Sequence, residues 1–350
     1  MNKQLQDLVQ SIAPVSQERM GETVSYLDTL TKPPGSLGQL EGIVRQLAGI
    51  TNQEEPQVSP PGILIFAADH GIVEEGVSAF PQEVTVQMIR NFLDGGAAIN
   101  VFARQIDAEL QVVDVGTASE IEDNRLDSRK IAQGTENFLK TDAMTQEQME
   151  TAILAGAESA KGMIARGIKC LLLGEMGIGN TTPASALAAV LTGCSVDQAV
   201  GYGTGISNDM KQHKVNVIEE SIKRRKPDNE SPLDVLKKLG GYEIAAITGA
   251  ILAAAKARIP VILDGFICTS GALIACGLNA NVNDYLFAGH LSQEPGHQFT
   301  LEDLGIKPLL DLGLKLGEGT GAALAFPVLE AAVRMRNEMA TFDNAGVTNK

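Results

Sequence analysis

A chain of 350 residues that is 44% apolar and 20% charged holds enough apolar surface for one large domain or two modest ones around a buried core, which excludes wholesale disorder. Its 43 acidic residues against 28 Lys and Arg leave a formal charge of -15, which repels a nucleic-acid backbone and an anionic membrane, and 4% aromatics with no Trp leave little to stack on unpaired bases. The composition is that of a compact metabolic enzyme acting on small molecules, with neither nucleic acid nor membrane as a partner.

From residue 2 to about residue 50, apolar positions recur every three and four residues, broken at Ala13-Pro14 and at the turn Lys32-Pro33-Pro34-Gly35, which predicts two or three short helices in a segment 1–55. No apolar stretch of signal-peptide length occurs in the first thirty residues, so no export is expected. After the linker EEPQVSPPG, five apolar runs of strand length begin at Gly62, Leu110, Lys169, Ile259 and Asp284, with helical stretches between them. This alternation predicts an α/β fold over 60–305, a doubly wound and mostly parallel Rossmann-like sheet. Several runs are apolar throughout, as strands covered on both faces are. The Ala-rich stretch from Tyr242 to Ile259 includes Glu243, Lys256 and Arg258 and reads as a packed helix, not a membrane span. From about Pro308 a helical pattern resumes through Met339, so 306–350 is expected to join the first helices in a smaller helical subdomain. Cys170, Cys194, Cys268 and Cys276 lie in apolar runs without a CxxC pair, which suggests neither zinc nor disulfides and fits a reducing cytoplasm.

Each strand run ends in a polar or glycine cluster: Asp69-His70-Gly71, Asp114-Val115-Gly116, Gly174-Glu175-Met176-Gly177, Asp264-Gly265 and His290-Leu291-Ser292. Ligands of open parallel sheets bind outside the carboxyl ends of the strands, where helix amino termini also point, so these clusters are where chemistry is expected. In LLLGEMGIGNTTPASAL, from Leu171, a glycine turn precedes a helix opening at Thr181-Thr182-Pro183, whose free N–H groups favour an anion. The same residues also make an ordinary helix cap. Glu175 has no structural need at the tip of a buried strand. In LKLGEGTGAALAF, Glu318 stands between Gly317 and Gly319 ahead of another helix, placed either to favour the helix dipole or to act as a general base where glycines let a ligand approach. The segment from Phe66 to Ile89 reads as a pocket wall; adjacent Asp69 and His70 rarely reach one ion together, so no metal is expected. Gly201, Gly203 and Gly205 precede a helix carrying Lys214 but do not form GxGxxG, which weighs against a nicotinamide-dependent oxidoreductase, the competing reading. By itself Lys214 reads as a solvated surface lysine.

Six segments in order, TKPPGSLGQLE at 31, FAADHGIVEEGV at 66, GEMGIGNTTPASA at 174, LDGF at 263, GHLSQEPG at 289 and LGEGTGAALA at 316, resemble the nicotinate-nucleotide:dimethylbenzimidazole phosphoribosyltransferase family over nearly the whole chain. The resemblance implies transfer of phosphoribose from nicotinate mononucleotide to 5,6-dimethylbenzimidazole, giving alpha-ribazole 5'-phosphate and nicotinate in cobalamin nucleotide-loop assembly. It implies Glu318 and Glu175 as catalytic carboxylates, with Gly177, Asn180, Thr181, Gly203, Lys214, Asp264, Ser292 and Gly317 binding substrate. Phe80 and Met88 fall in the base pocket, where family members vary, so a related transferase with another base remains an alternative. No cofactor is implied, and a homodimer is. Two terms act oppositely on Glu318: the helix amino terminus keeps it ionised, and burial beside an apolar base raises its pKa.

Overall fold

The computed structural model describes residues 1–201 and 207–348. In chain order the elements are α1 (Lys3–Gln10), α2 (Gln17–Leu27), α3 (Gln39–Thr51), β1 (Pro61–Ala68), α4 (Glu83–Leu93), α5 (Ala98–Gln105), β2 (Glu109–Gly116), β3 (Asp127–Ser128), α6 (Gln146–Ala165) and β4 (Cys170–Met176). They continue as α7 (Thr181–Thr192), α8 (Val196–Ala199), α9 (Asn208–Arg225), α10 (Pro232–Leu239), α11 (Tyr242–Lys256), β5 (Val261–Leu263), α12 (Phe266–Leu278), β6 (Leu286–His290), α13 (Pro295–Leu304), β7 (Pro308–Leu310), α14 (Thr320–Glu338) and α15 (Phe342–Ala345).

The strands form one sheet in the order β3-β2-β1-β4-β5-β6-β7, and every ladder is parallel. β1 and β4 are buried along their whole length, as their uninterrupted apolar sequences require. Helices α6, α11 and α12 pack on one face of the sheet, and α4, α5 and α14 on the other. The chain winds outward from β1 through β2 to β3, then returns to place β4 on the opposite side of β1. The two C-terminal ends at β1 and β4 therefore feed connections that diverge, and a crevice opens between them.

Two strands extend the sheet beyond the five apolar runs. β3 and β7 span two and three residues, too few to leave a periodic signal. The helical pattern expected from Pro308 is corrected accordingly: Pro308 pairs with Ala288 and Leu310 with His290, a loop follows, and helix begins only at Thr320. The amino-terminal helices do form as α1, α2 and α3; α3 packs on α2 and α14, and Leu30 bridges Thr341. Their apolar residues, from Leu5 to Ile50, run continuously into the core around the sheet. Among the described residues no helix is long and apolar enough to cross a membrane.

Arg258, at the turn between α11 and β5, ties the first helices to this layer. Its Nε and a terminal nitrogen donate to the carbonyls of Ile50 and Gly49, 2.8 Å each, which satisfies acceptors that the end of α3 leaves free. Arg258→Ala is expected to lower unfolding free energy by about 1.5–3 kcal/mol, the worth of hydrogen bonds from a charged donor. Urea denaturation checks this, and an unchanged midpoint contradicts it.

Candidate active site

A cavity of about 240 Å³ lies at the carboxyl ends of β4, β5 and β6 and is walled by the segment that follows β1. It has two chemically distinct walls. Val77, Phe80, Val84, Met88, Ile178 and Leu316 make an apolar side, with Phe80 45% and Leu316 55% exposed at the rim. Asn180, Thr181, Lys214, Ser292 and Glu294 make a polar side, and Glu175 and Glu318 stand on the same lining.

Glu318 arrives through an uncommon backbone. Gly317, Glu318 and Gly319 have φ of 85°, 64° and 85°, three consecutive left-handed residues, and Glu318 lacks a glycine's freedom there. This loop lies directly on β4: a Cβ on Gly174 would fall 2.6 Å from the Glu318 carbonyl carbon. Only glycine at 174 lets the loop approach so closely. Asp264, at the tip of β5, receives the start of α14. Its Oδ2 accepts from the Gly319 amide at 2.9 Å, and its Oδ1 from Gly321 at 2.6 Å and Ala322 at 3.2 Å.

Glu175 and Glu318 are held largely away from water. Burial pushes Glu318 up to about 7, and the Asp264 charge adds to the rise. The rise is in the direction expected from burial beside the apolar wall. Glu175 rises further, to about 8, through burial and the charges of Asp264, Glu243 and Glu318, while a hydrogen bond from Asn180 Nδ2 opposes the shift. α7 has no side-chain cap: Asn180, the residue before it, already has helical backbone angles, φ -62° and ψ -22°, where a capping residue is extended, and its side-chain amide points to Glu175.

Lys214, on α9, is 2% exposed and donates from Nζ to Thr181 Oγ1 at 2.6 Å. Burial lowers its pKa to about 8, partly countered by Glu294. It is therefore no solvated surface lysine. Behind Ser292, the Ser292 amide donates to His297 Nδ1 at 3.0 Å, and the far ring nitrogen lies 3.0 Å from Thr269 Oγ1. Burial drives His297 down to about 3, so the ring is neutral, with Nδ1 accepting and Nε2 carrying the proton. Asp69 and His70 are drawn apart: Asp69 Oδ2 accepts from the Ala118 amide at 2.8 Å, and His70 Nε2 pairs with Glu243 Oε1 at 2.9 Å.

The chain as a whole is similar to known proteins. A family model described as Phosphoribosyltransferase matches residues 12–347. The nicotinate-nucleotide--dimethylbenzimidazole phosphoribosyltransferase of Geobacter sp. (strain M21) is 51% identical over 346 residues, 99% of each chain. That of Chlorobaculum tepidum is 48% identical over 351 residues, 100% of this chain and 99% of its own. The chain belongs to this phosphoribosyltransferase family. A crystal structure of the enzyme of that name from Thermus thermophilus superimposes with a TM-score of 0.91 at 46% identity, covering 96% of this chain and 100% of that one.

Of the residues that the family resemblance singled out, Glu175, Glu318, Gly177, Asn180, Thr181, Lys214, Ser292, Gly317, Phe80 and Met88 all line the one cavity. Gly203 lies outside the described residues. Asp264 is placed differently from these: it is 1% exposed, is not among the lining residues, and has both oxygens engaged by backbone amides. Thr182, which follows Thr181 at the helix opening, is fully buried in α7 and is not among the lining residues. Sequence reasoning passed over Glu294, Lys315 and Phe266 as lining residues. Glu294, Lys315 and Phe266 each stand within three residues of a chosen position, which was the available signal; Phe266 also opens an apolar run that reads as core.

Both raised carboxylates bind protons more tightly folded than unfolded, so their ionisation works against folding as pH climbs from about 4.5 through about 8. Glu175→Gln removes the larger contribution while keeping the shape. The variant is expected to melt above the parent protein at pH 8.5 and to lose that advantage near pH 4. Equal melting temperatures across the range contradict this.

Proposed function

We propose that this protein transfers 5-phosphoribose from nicotinate mononucleotide to 5,6-dimethylbenzimidazole, forming alpha-ribazole 5'-phosphate and releasing nicotinate, a step of cobalamin nucleotide-loop assembly. The observation that carries the reading is the pairing, in one cavity at the sheet's switch point, of a raised carboxylate against an apolar wall with a buried lysine whose Nζ bonds Thr181 at the amino terminus of α7. A neutral aromatic base suits the first half, and a sugar phosphate suits the second.

In this reading Lys214, Thr181, Asn180, Gly177 and Ser292 hold the phosphoribosyl donor, and Phe80 and Met88 flank the base. One ring nitrogen of the base attacks C1' while the bond from C1' to the nicotinate nitrogen breaks, its electron pair returning to a ring that was quaternary. Attack from the face opposite the leaving group turns the beta linkage into alpha. The second ring nitrogen of the base becomes acidic as its partner bonds to carbon, and Glu318 accepts its proton. A base with a pKa of about 7 is well matched to neutral pH. Glu175 is pushed further, to about 8, so of the two Glu318 gives up its proton at the lower pH. Fixing two substrates side by side supplies much of the remaining acceleration. The same reading makes the working form a cytoplasmic homodimer; sedimentation as a monomer at micromolar concentration refutes the dimer.

The direct test is an assay with nicotinate mononucleotide and 5,6-dimethylbenzimidazole, following nicotinate and the ribazole phosphate by chromatography. Glu318→Gln is expected to retain nucleotide binding by calorimetry and to lose turnover by about 10²- to 10⁴-fold, the usual worth of a general base. Near-native turnover in that variant removes Glu318 from the role. For the native protein, kcat/KM is expected to rise with pH through about 7 as Glu318 ionises and to fall above about 8 as Lys214 loses its proton. A flat profile from pH 6 to 9 rejects both assignments.

A further inference from the structure

The Gly317–Glu318–Gly319 turn meets the head of α14 at a single buried side chain. Asp264 stands at the carboxyl end of β5, 1% exposed, and bridges two parts of the chain: Oδ2 takes the amide of Gly319, the residue that follows Glu318, and Oδ1 takes those of Gly321 and Ala322 in the first turn of α14. The cavity-lining ring of His290 reaches the same Oδ1, with Nε2 3.7 Å away. A helix amino terminus left uncapped would have these N–H groups free, and a left-handed non-glycine residue persists only where its surroundings over-determine it. Asp264 supplies both constraints at once. Accordingly we propose that Asp264 is a positioning residue for phosphoribosyl transfer, holding the strained turn so that the Glu318 carboxylate stays aimed into the cavity. The inference rests on the reading of Glu318 as proton acceptor.

The groups that bear on Glu318 are Asp264 at the end of β5 and Glu175 from β4, with His290, Lys214, Glu294 and Lys315 lining the same cavity. The negative charge of Asp264 raises Glu318, so its removal has a sign that a merely structural defect lacks.

Asp264→Asn keeps the size, removes the charge, and sets an amide donor against a backbone N–H. It is expected to lower kcat by about 100-fold, the cost of a small misplacement of a reacting group, with KM for nicotinate mononucleotide nearly unchanged. The acid limb of its kcat profile is expected to move to lower pH. If kcat and the limb both match the native protein while Glu318→Gln is inactive, the positioning role is overturned and the proton-acceptor role stands. If Glu318→Gln is active, the proton-acceptor reading itself fails, whatever Asp264→Asn does. A loss of kcat with an unmoved limb reduces Asp264 to a fold-stabilising residue and also overturns the proposal. Should Asp264→Asn not fold, hydrogen exchange on the native protein decides: the amides of Gly319, Gly321 and Ala322 are expected to be protected, and exchange at the rate of an open helix end contradicts the clamp.

Discussion

Three carboxylates, Glu175, Asp264 and Glu318, are buried together at the tips of β4 and β5 and the head of α14, and the organisation of the site follows from how that like charge is tolerated. Burying a carboxylate costs several kcal/mol unless partners replace water. Each of the three meets the cost differently. Asp264 is surrounded by backbone amides and a helix amino terminus, with His290 beside it; Glu175 has the amide of Asn180; Glu318 is 6% exposed at the cavity itself. Burial raises the pKa of all three; the carboxylate richest in donors is held behind the cavity, and the two poorer ones face it. Unequal hydrogen bonding thus separates a carboxylate bound to the head of a helix from two that face the cavity and are able to exchange a proton near neutral pH.

The fold makes such a cluster possible because parallel strands gather their carboxyl ends on one edge. β1 and β4 are buried throughout and anchored by helices on both faces, so their ends are rigid, and the loops that leave them diverge to open the crevice. A rigid base is also what a site of this kind needs. Pre-set distances between a buried base, a phosphate anchor and an apolar wall do their part only if the supporting side chains cannot relax toward each other. Contacts one layer back follow the same rule: His297, neutral and locked between Ser292 and Thr269, fixes the backbone beside the polar wall, and His70, paired with Glu243, lies beneath Gly177.

Much of the fold was legible in the chain. Long apolar runs without alternation marked β1 and β4, and the residues closing those runs marked the binding edge. What escaped was short or irregular. β3 and β7 owe their existence to neighbouring strands that offer free hydrogen-bonding groups, a property no window of two or three residues can express. Pro308 falls within a helical pattern in sequence because Leu309, Leu310, Leu312 and Leu314 mimic helical spacing, while the chain there is instead extended by pairing with β6. In the site, glycine-flanked Glu318 and strand-end Glu175 stood out by composition. Lys214 did not, since burial is a property of what packs around a residue and leaves no mark on the residue itself.

The sequence by itself determined the class of architecture, the edge of the sheet where ligands bind and the residue types available for chemistry, because periodicity and strand-end glycines are local properties of a chain. Family kinship, carried by six ordered motifs, extended this to the reaction. Only the tertiary structure decided the division of labour among the acids. Asp264 and Glu175 look alike in sequence, each a carboxylate at a strand tip close to glycine. Three amides from the head of a helix more than fifty residues away turn the first into a clamp, and their absence around the second leaves it facing the cavity with its proton held. Solvation and long-range hydrogen bonding set that difference, and both exist only once the chain has folded.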